Sequence, residues 1–284
     1  MFWNQFKTVF LLTSLSVLLF LFGYWVGGRT GLIFAFGFSL LMNFITYFYS
    51  DKIVLKLYKA QPLDKNKFSY VYDIVHELTD QANMPMPKLW YMPTSMANAF
   101  ATGRNPKHAS VAVTQGILDI LEEHELRGVL AHELSHVKNR DILVATVAAT
   151  IAMSIAYLAD ILRWSFIFGG RSRDRDGGGW SAIIVAILMP IAATMIQLAI
   201  SRSREYLADE TGAKISHDPL ALASALEKLH HNVKSKKFRP KSNVQSSTAS
   251  LFIVYPFSAS GLVSLFSTHP PMEKRITRLR SMVK

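Results

Sequence analysis

His132, Glu133 and His136 fall in the pentad His-Glu-Leu-Ser-His, inside a stretch predicted to be helical over Leu118–Asn139. On a helix, positions i and i+4 share a face, so the two imidazoles can grip one cation. Zinc accepts neutral imidazole at about 2.0–2.1 Å, needs a third protein ligand, and in a catalytic site leaves its fourth position to water. Glu133 projects about 100° round the helix from His132. Its carboxylate reaches that water rather than the metal, and takes the proton as water attacks a carbonyl. The spacing therefore points to metal-assisted hydrolysis with Glu133 as general base.

The third ligand must come from another element, and His, Asp or Glu would serve. The best candidate is Glu205 in Glu205-Tyr206-Leu207-Ala208-Asp209, on a predicted helix over 201–216. Asp209 lies one turn further on the same face, placed to hydrogen-bond a ligand histidine and fix its orientation. The competing reading is a solvated acidic helix, with Arg202 and Arg204 as ion-pair partners. The chain has no cysteine, which excludes a thiolate-ligated metal, a thiol nucleophile and a disulfide framework.

The elements that must hold these residues are of two kinds. Half of the 284 residues are hydrophobic and only 18% are charged, below the roughly 25% charge of ordinary soluble domains. Four uncharged apolar runs stand out, Thr8–Val26, Leu32–Ser50, Ile142–Ala159 and Trp180–Ile200. Their lengths approach the ~20 residues that cross a bilayer core. The first two predict a transmembrane hairpin over 1–50 with a tight turn at Gly27–Gly31. A cleaved leader would need a small-residue cleavage site after the apolar run, where Tyr24, Trp25 and Arg29 stand instead. Tyr24, Trp25, Tyr47 and Tyr49 suit interfacial aromatic belts. The last two runs predict a second hairpin over 142–200, in which Pro190 is tolerable. A buried soluble hairpin is the alternative, because small residues dominate the third run.

The net charge of +11 would suit nucleic acid or a membrane surface. The apolar runs decide for the membrane, and no nucleic-acid partner is expected. Residues 51–141 carry 11 Lys and Arg and 201–284 carry 14, against Arg29 alone in the first turn and four arginines in the loop 163–179. That bias places the two large blocks on the cytoplasmic side, although the arginines of the loop weaken its outside placement. Together the blocks form the catalytic domain. Helices are predicted over 68–83, 118–139, 201–216 and 219–233, and strands over 88–92, 98–102 and 110–114. Residues 234–250, basic and serine-rich, read as a mobile loop. The metal-binding helix is expected to run straight on into the third apolar run.

Four segments carry a resemblance. They are Ala97-Asn98-Ala99-Phe100-Ala101-Thr102-Gly103, Leu130-Ala131-His132-Glu133-Leu134-Ser135-His136, Ser203-Arg204-Glu205-Tyr206-Leu207-Ala208-Asp209 and Ser267-Thr268-His269-Pro270-Pro271. In this order, and with four apolar runs so placed, the chain resembles the bacterial membrane-bound heat-shock zinc metalloproteases called HtpX, relatives of the CaaX prenyl proteases. The resemblance covers essentially the whole chain. It implies a zinc site of two histidines and one glutamate, a cytoplasmic catalytic domain, and endopeptidase activity in membrane-protein quality control. It also implies that Asn98 holds substrate backbone beside an edge strand, where a turn asparagine is the alternative. His269 either stabilises an oxyanion or braces the ligands, or only packs at a helix N-terminus.

The expected architecture is a mostly α integral membrane protein, with four transmembrane helices and a cytoplasmic zincin-like (gluzincin) α+β domain with a small sheet. The expected activity is that of a zinc metalloendopeptidase with one Zn2+ per chain. It would act in a multi-pass setting in the bacterial plasma membrane, on protein substrates that are chiefly membrane proteins. Two rivals stand beside it. One is a peptidase narrowly specific for lipidated C-termini, which would need a large internal chamber. The other is a membrane chaperone or adaptor with a structural metal, but a structural zinc is closed by four protein ligands and has no use for Glu133.

Overall fold

The computed structural model describes residues 2–152, 155, 191, 202–236, 251–254 and 270–283. Its first helical element, α1 (Phe2–Leu57), has unbroken helix assignment, yet the chain doubles back within it. Gly28 adopts φ +55°, a left-handed conformation open to glycine. Ser39 and Asn43 both donate to the Ser16 hydroxyl at 2.8 Å, and the rings of Phe20 and Phe36 stack 6.2 Å apart. A straight helix would separate Ser16 from Ser39 by about 35 Å at ~1.5 Å per residue. The two arms therefore lie side by side. Gly28–Leu57 is long and apolar enough to cross a membrane, while Phe6–Leu21 and Ile142–Ala152 are shorter apolar helices. Ile33, Phe34, Phe36, Leu40 and Phe44 face outward from the second arm, an apolar surface that water-soluble proteins rarely leave uncovered.

The sheet begins just after α1 ends. Strands β1 (Gln61–Pro62), β2 (Lys88–Met92), β3 (Ala99–Gly103) and β4 (Ala109–Thr114) form one sheet in the order β1-β2-β4-β3. β2 and β4 are parallel, and the other pairs are antiparallel. The order leaves β3 at an edge. One sheet face packs on helix α2 (Ser69–Ala82) and the helices beyond it, with Val71, Leu78, Ala99, Val111, Val129 and Leu130 in a common core. Period-2 alternation sends the intervening Phe100, Ala112 and Met92 to the other face. There they meet Val54 and Leu55 at the end of α1.

The single helix expected over 118–139 is two. Helix α3 (Gln115–Ile120) starts where the Thr114 hydroxyl accepts the Ile117 N–H at 3.1 Å. Helix α4 (Glu123–Lys138) starts from a reciprocal cap, in which the Glu122 side chain accepts from the backbone of Glu125 and Glu125 accepts the Glu122 N–H. Each orphan donor satisfied in this way makes a separate helix start.

The straight run from α4 into the third apolar segment is also overturned. After the C-cap Asn139, Arg140 turns left-handed with φ +57°. Its N–H bonds to the Val137 carbonyl, and the Asp141 N–H reaches back to His136. This paired C-terminal pattern ends a helix. Asp141 then leads into α5 (Ile142–Ala152). There Val144, Val147, Ala148 and Ile151 pack against Leu11 and Leu15 of the first arm, with Ile191 beside them.

The remaining described α-helices are α6 (Arg202–Ser216), α7 (Pro219–Lys236) and α8 (Met272–Arg280). The rest of the fourth apolar run, the loop 163–179, His269 and nearly all of the basic segment 234–250 lie outside the described residues.

Candidate active site

Helix α4 presents His132 and His136 on one face, with ring centroids 4.8 Å apart. Helix α6 brings in Glu205, and it can do so because Gly212 lets the two helices touch. A Cβ at Gly212 would lie 2.9 Å from both the N and the Cα of His132. Gly128 plays the same part between α4 and α7, where an added Cβ would meet the Leu222 nitrogen at 2.7 Å. The buried Ser135 hydroxyl lies 2.6 Å from the His132 carbonyl and 3.1 Å from that of Ala208, joining α4 to α6.

One ligand atom from each of His132, His136 and Glu205 falls within 4.8 Å of the others. His132 Nε2 and His136 Nε2 are 3.2 Å apart, and the two imidazoles stand 3.9 and 3.7 Å from the Glu205 carboxylate. Atoms bound to one tetrahedral zinc at about 2.0–2.1 Å sit roughly 3.3 Å from each other, so the cluster fits an ion of that size. Charge agrees with the spacing. Buried Glu133, Asp141, Glu205 and Asp209 face two guanidiniums, Arg275 and Arg204, and a dication brings the group to neutrality. His136 keeps 18% side-chain exposure, which leaves one side of the cluster reachable.

Each imidazole has a carboxylate behind it. His132 Nδ1 lies 2.9 Å from Asp209 Oδ1, close but not in line for a full hydrogen bond. His136 Nδ1 lies 3.2 Å from Asp141 Oδ2. Such carboxylates fix the ring and raise its basicity as a ligand. Asp209 was legible from its spacing to Glu205. Asp141 was not, because its position depends on the break after α4.

Arg275, on α8, also escaped the sequence reading. It is fully buried and forks onto Asp209, with Nε–Oδ2 at 2.8 Å and Nη2–Oδ1 at 2.7 Å. Its guanidinium stands 3.5 Å from His132 Nε2 and 3.7 Å from Glu205 Oε2. Burial opposes ionisation of Asp209, but Arg275 and His132 outweigh it and hold the carboxyl down at about 2. For His132, burial dominates and lowers the pKa against the pull of Asp209. Burial would also lower His136, but Asp141, Glu205 and Glu133 lift it to about 10. A cation entering the cluster displaces that proton.

Glu133 is buried, and burial pushes its carboxyl up to about 7. Its Oε2 accepts the Ala101 N–H at 2.9 Å. That N–H is spent on Glu133 and so points away from β4, toward the open edge of β3. Asn98, just before β3, is fully buried. Its Oδ1 accepts the Ile253 N–H at 3.0 Å, and the Ile253 carbonyl accepts from Arg275 at 3.3 Å.

Comparison with known proteins gives the family. The description of peptidase family M48 matches residues 65–283. A protease HtpX homolog from Syntrophobacter fumaroxidans is 53% identical, covering 98% of this chain and 99% of its own length. One from Thermococcus sibiricus is 53% identical, covering 98% and 96%. Among solved structures, Ste24p from S. mikatae shares the fold with a TM-score of 0.50 at 17% identity, across 97% of this chain and 64% of that one. Identity near one half over the full length of both partners leaves one assignment: the chain belongs to peptidase family M48, within its HtpX branch, and is a membrane metalloprotease.

Proposed function

We infer that one Zn2+ is held by His132 Nε2, His136 Nε2 and Glu205, and that Glu133 is the general base for peptide-bond hydrolysis. The observation that carries this reading is the set of three ligand atoms within 4.8 Å of one another, with the Glu133 carboxylate buried beside them. Zinc, when bound, supplies Lewis acidity that lowers the pKa of water and polarises a carbonyl. Glu133 is anchored through Oε2 to Ala101, which leaves Oε1 to take a proton. A carboxylate so placed accepts a proton from water and returns it to a leaving amine. Three protein ligands leave a position open, as a hydrolytic site needs and a structural one does not.

Substrate enters along β3. Among the described residues this strand pairs only with β4, and an extended peptide added to its other edge would run beside Glu133. Asn98 Nδ2 is buried with no hydrogen-bond partner among the described residues. Buried donors are rarely left so, and a substrate carbonyl would satisfy this one. That supports Asn98 as a residue that holds substrate backbone.

The same proposal places two apolar hairpins, over 1–50 and 142–200, in the bacterial plasma membrane, with 51–141 and 201–284 facing the cytoplasm. The Lys and Arg distribution supports this orientation. His136 is only six residues before Ile142, so the site lies close to the bilayer. Misfolded or damaged membrane proteins, cut in cytoplasmic segments, are the substrates that such a position favours. The test is incubation of the detergent-solubilised chain with unfolded casein. Cleavage should stop on chelation, return with one equivalent of zinc, and fall at least about 100-fold in Glu133→Gln with zinc still bound. Undiminished cleavage by Glu133→Gln would remove Glu133 from the base role.

A further inference from the structure

Away from the metal centre, a cavity of about 530 Å3 opens where α1 leaves its apolar arm and the catalytic domain begins. One wall is aromatic and comes from the end of that arm, with Phe44, Phe48 and Tyr49. The rings of Phe44 and Phe48 are 4.7 Å apart, and both belong to the outward apolar face. The opposite wall comes from the start of β2 and the connection from β3 to β4. It supplies Lys88, Arg104 and Lys107, and Lys52 adds a fourth cation from α1. The lining contains a single carboxylate, Asp51.

None of the four cations has a carboxylate within ion-pair distance among the described residues. Two of the cavity's cations lie over its aromatic rings instead, Arg104 5.3 Å from the Phe48 centroid and Lys52 4.8 Å from that of Tyr49. The basic lining continues past the cavity. Lys107 also lines a neighbouring cleft with Lys138 and Arg140, the residues just ahead of α5. Positive charge thus spans the two described places where the chain passes between the catalytic domain and an apolar helix.

We propose that this cavity binds the head group of an anionic phospholipid. The phosphodiester sits among Arg104, Lys107, Lys52 and Lys88, and an acyl chain lies along Phe44 and Phe48. The inference rests on the membrane placement given above. Unpaired cations at a bilayer boundary recognise anionic head groups, and an arginine fork matches phosphate oxygens. A free phosphate would use the cations but leave the aromatic wall without purpose. The site also touches the catalytic strand. Arg104 directly follows β3, whose Ala101 positions Glu133, so a bound lipid would fix the height of that strand over the bilayer.

The test uses full-length Glu133→Gln protein, to prevent self-cleavage, in mixed micelles with equal phosphatidylglycerol and phosphatidylcholine, and native mass spectrometry to count retained lipid. The parent should retain phosphatidylglycerol over phosphatidylcholine by roughly tenfold or more, on the scale set by several cations at a membrane surface. Arg104→Gln/Lys107→Gln should lose the preference. So should Lys52→Gln/Lys88→Gln, which guards against misfolding of a single variant. Lys65→Gln/Lys67→Gln, an equal charge change outside the cavity lining, should keep it. Equal loss in this control would reduce the effect to net charge and overturn the site. Binding of inorganic phosphate with no preference between the two lipids would make it a free-phosphate site and overturn the lipid assignment. Alkaline carbonate extraction of native membranes separates the two readings. Retention in the membrane without lipid preference overturns the site alone, and release overturns the membrane placement together with it.

Discussion

Asp141 Oδ2 lies 3.2 Å from His136 Nδ1 across the break that separates α4 from α5. The contact exists because Arg140 turns left-handed and brings the next residue back against the last turn of α4. The chain thus leaves the metal helix, supports its second imidazole, and enters the apolar helix within six residues of His136.

Asp141→Asn should therefore weaken zinc binding by about 10- to 100-fold, the usual effect of removing the carboxylate behind a metal-bound imidazole. Competition against a chromophoric chelator measures this directly. Arg140→Gly, which suits the left-handed turn, should keep the affinity within about twofold if the turn itself is what matters. An unchanged affinity in Asp141→Asn would show that this carboxylate does not orient the ring.

Gly212 supplies the second prediction. With its Cβ 2.9 Å from the His132 backbone, Gly212→Ala must push α6 off α4. The clash is with main chain, which cannot rotate away, and overpacking of this kind costs about 1–3 kcal/mol. Glue between the helices is lost on the same side as Glu205 and Asp209, so zinc affinity and thermal midpoint should fall together. Gly37→Ala, at a position where an added Cβ meets nothing within 4 Å, is the matched control. A Gly212→Ala protein with parental zinc affinity would show that the ligand set tolerates a wider helix spacing.

What was legible in the sequence was what local periodicity controls. The pentad places His132 and His136 by helix geometry alone, and the spacing of Glu205 to Asp209 does the same on α6. Strand β2 falls on the residues predicted as a strand, Lys88–Met92. The two helix breaks had weaker signals. Glu122 and Glu125 form a cap without the Ser or Thr that usually announces one, and Arg140 holds a left-handed position where glycine would have marked the stop. Asp141 offered a usable clue, an aspartate immediately before an apolar run. Arg275 offered none. In Met272–Arg280 it is one of several cations on a short amphipathic helix, and its burial follows only from packing against α6, 66 residues away in sequence from Asp209.

Arg275 and Asp209 should behave as one unit. The guanidinium forks onto Asp209 at 2.7 and 2.8 Å with both side chains buried, and Asp209 in turn supports His132. Arg275→Met leaves Asp209 buried without the guanidinium that forks onto it, a loss worth about 3–5 kcal/mol when one partner of a buried pair is removed. Asp209→Asn alone strands Arg275 and also withdraws the carboxylate behind His132. The double variant Arg275→Met/Asp209→Asn removes both charges, so it should be more stable than the sum of the two losses allows, by at least about 1 kcal/mol. Zinc affinity should not recover with it, because the support of His132 is still missing. Thermal unfolding of the zinc-loaded protein in detergent gives the stability cycle, and chelator competition gives the affinity. Additive losses in stability would show that the two charges do not act together. Full recovery of zinc affinity in the double variant would show that Asp209 serves only to neutralise Arg275.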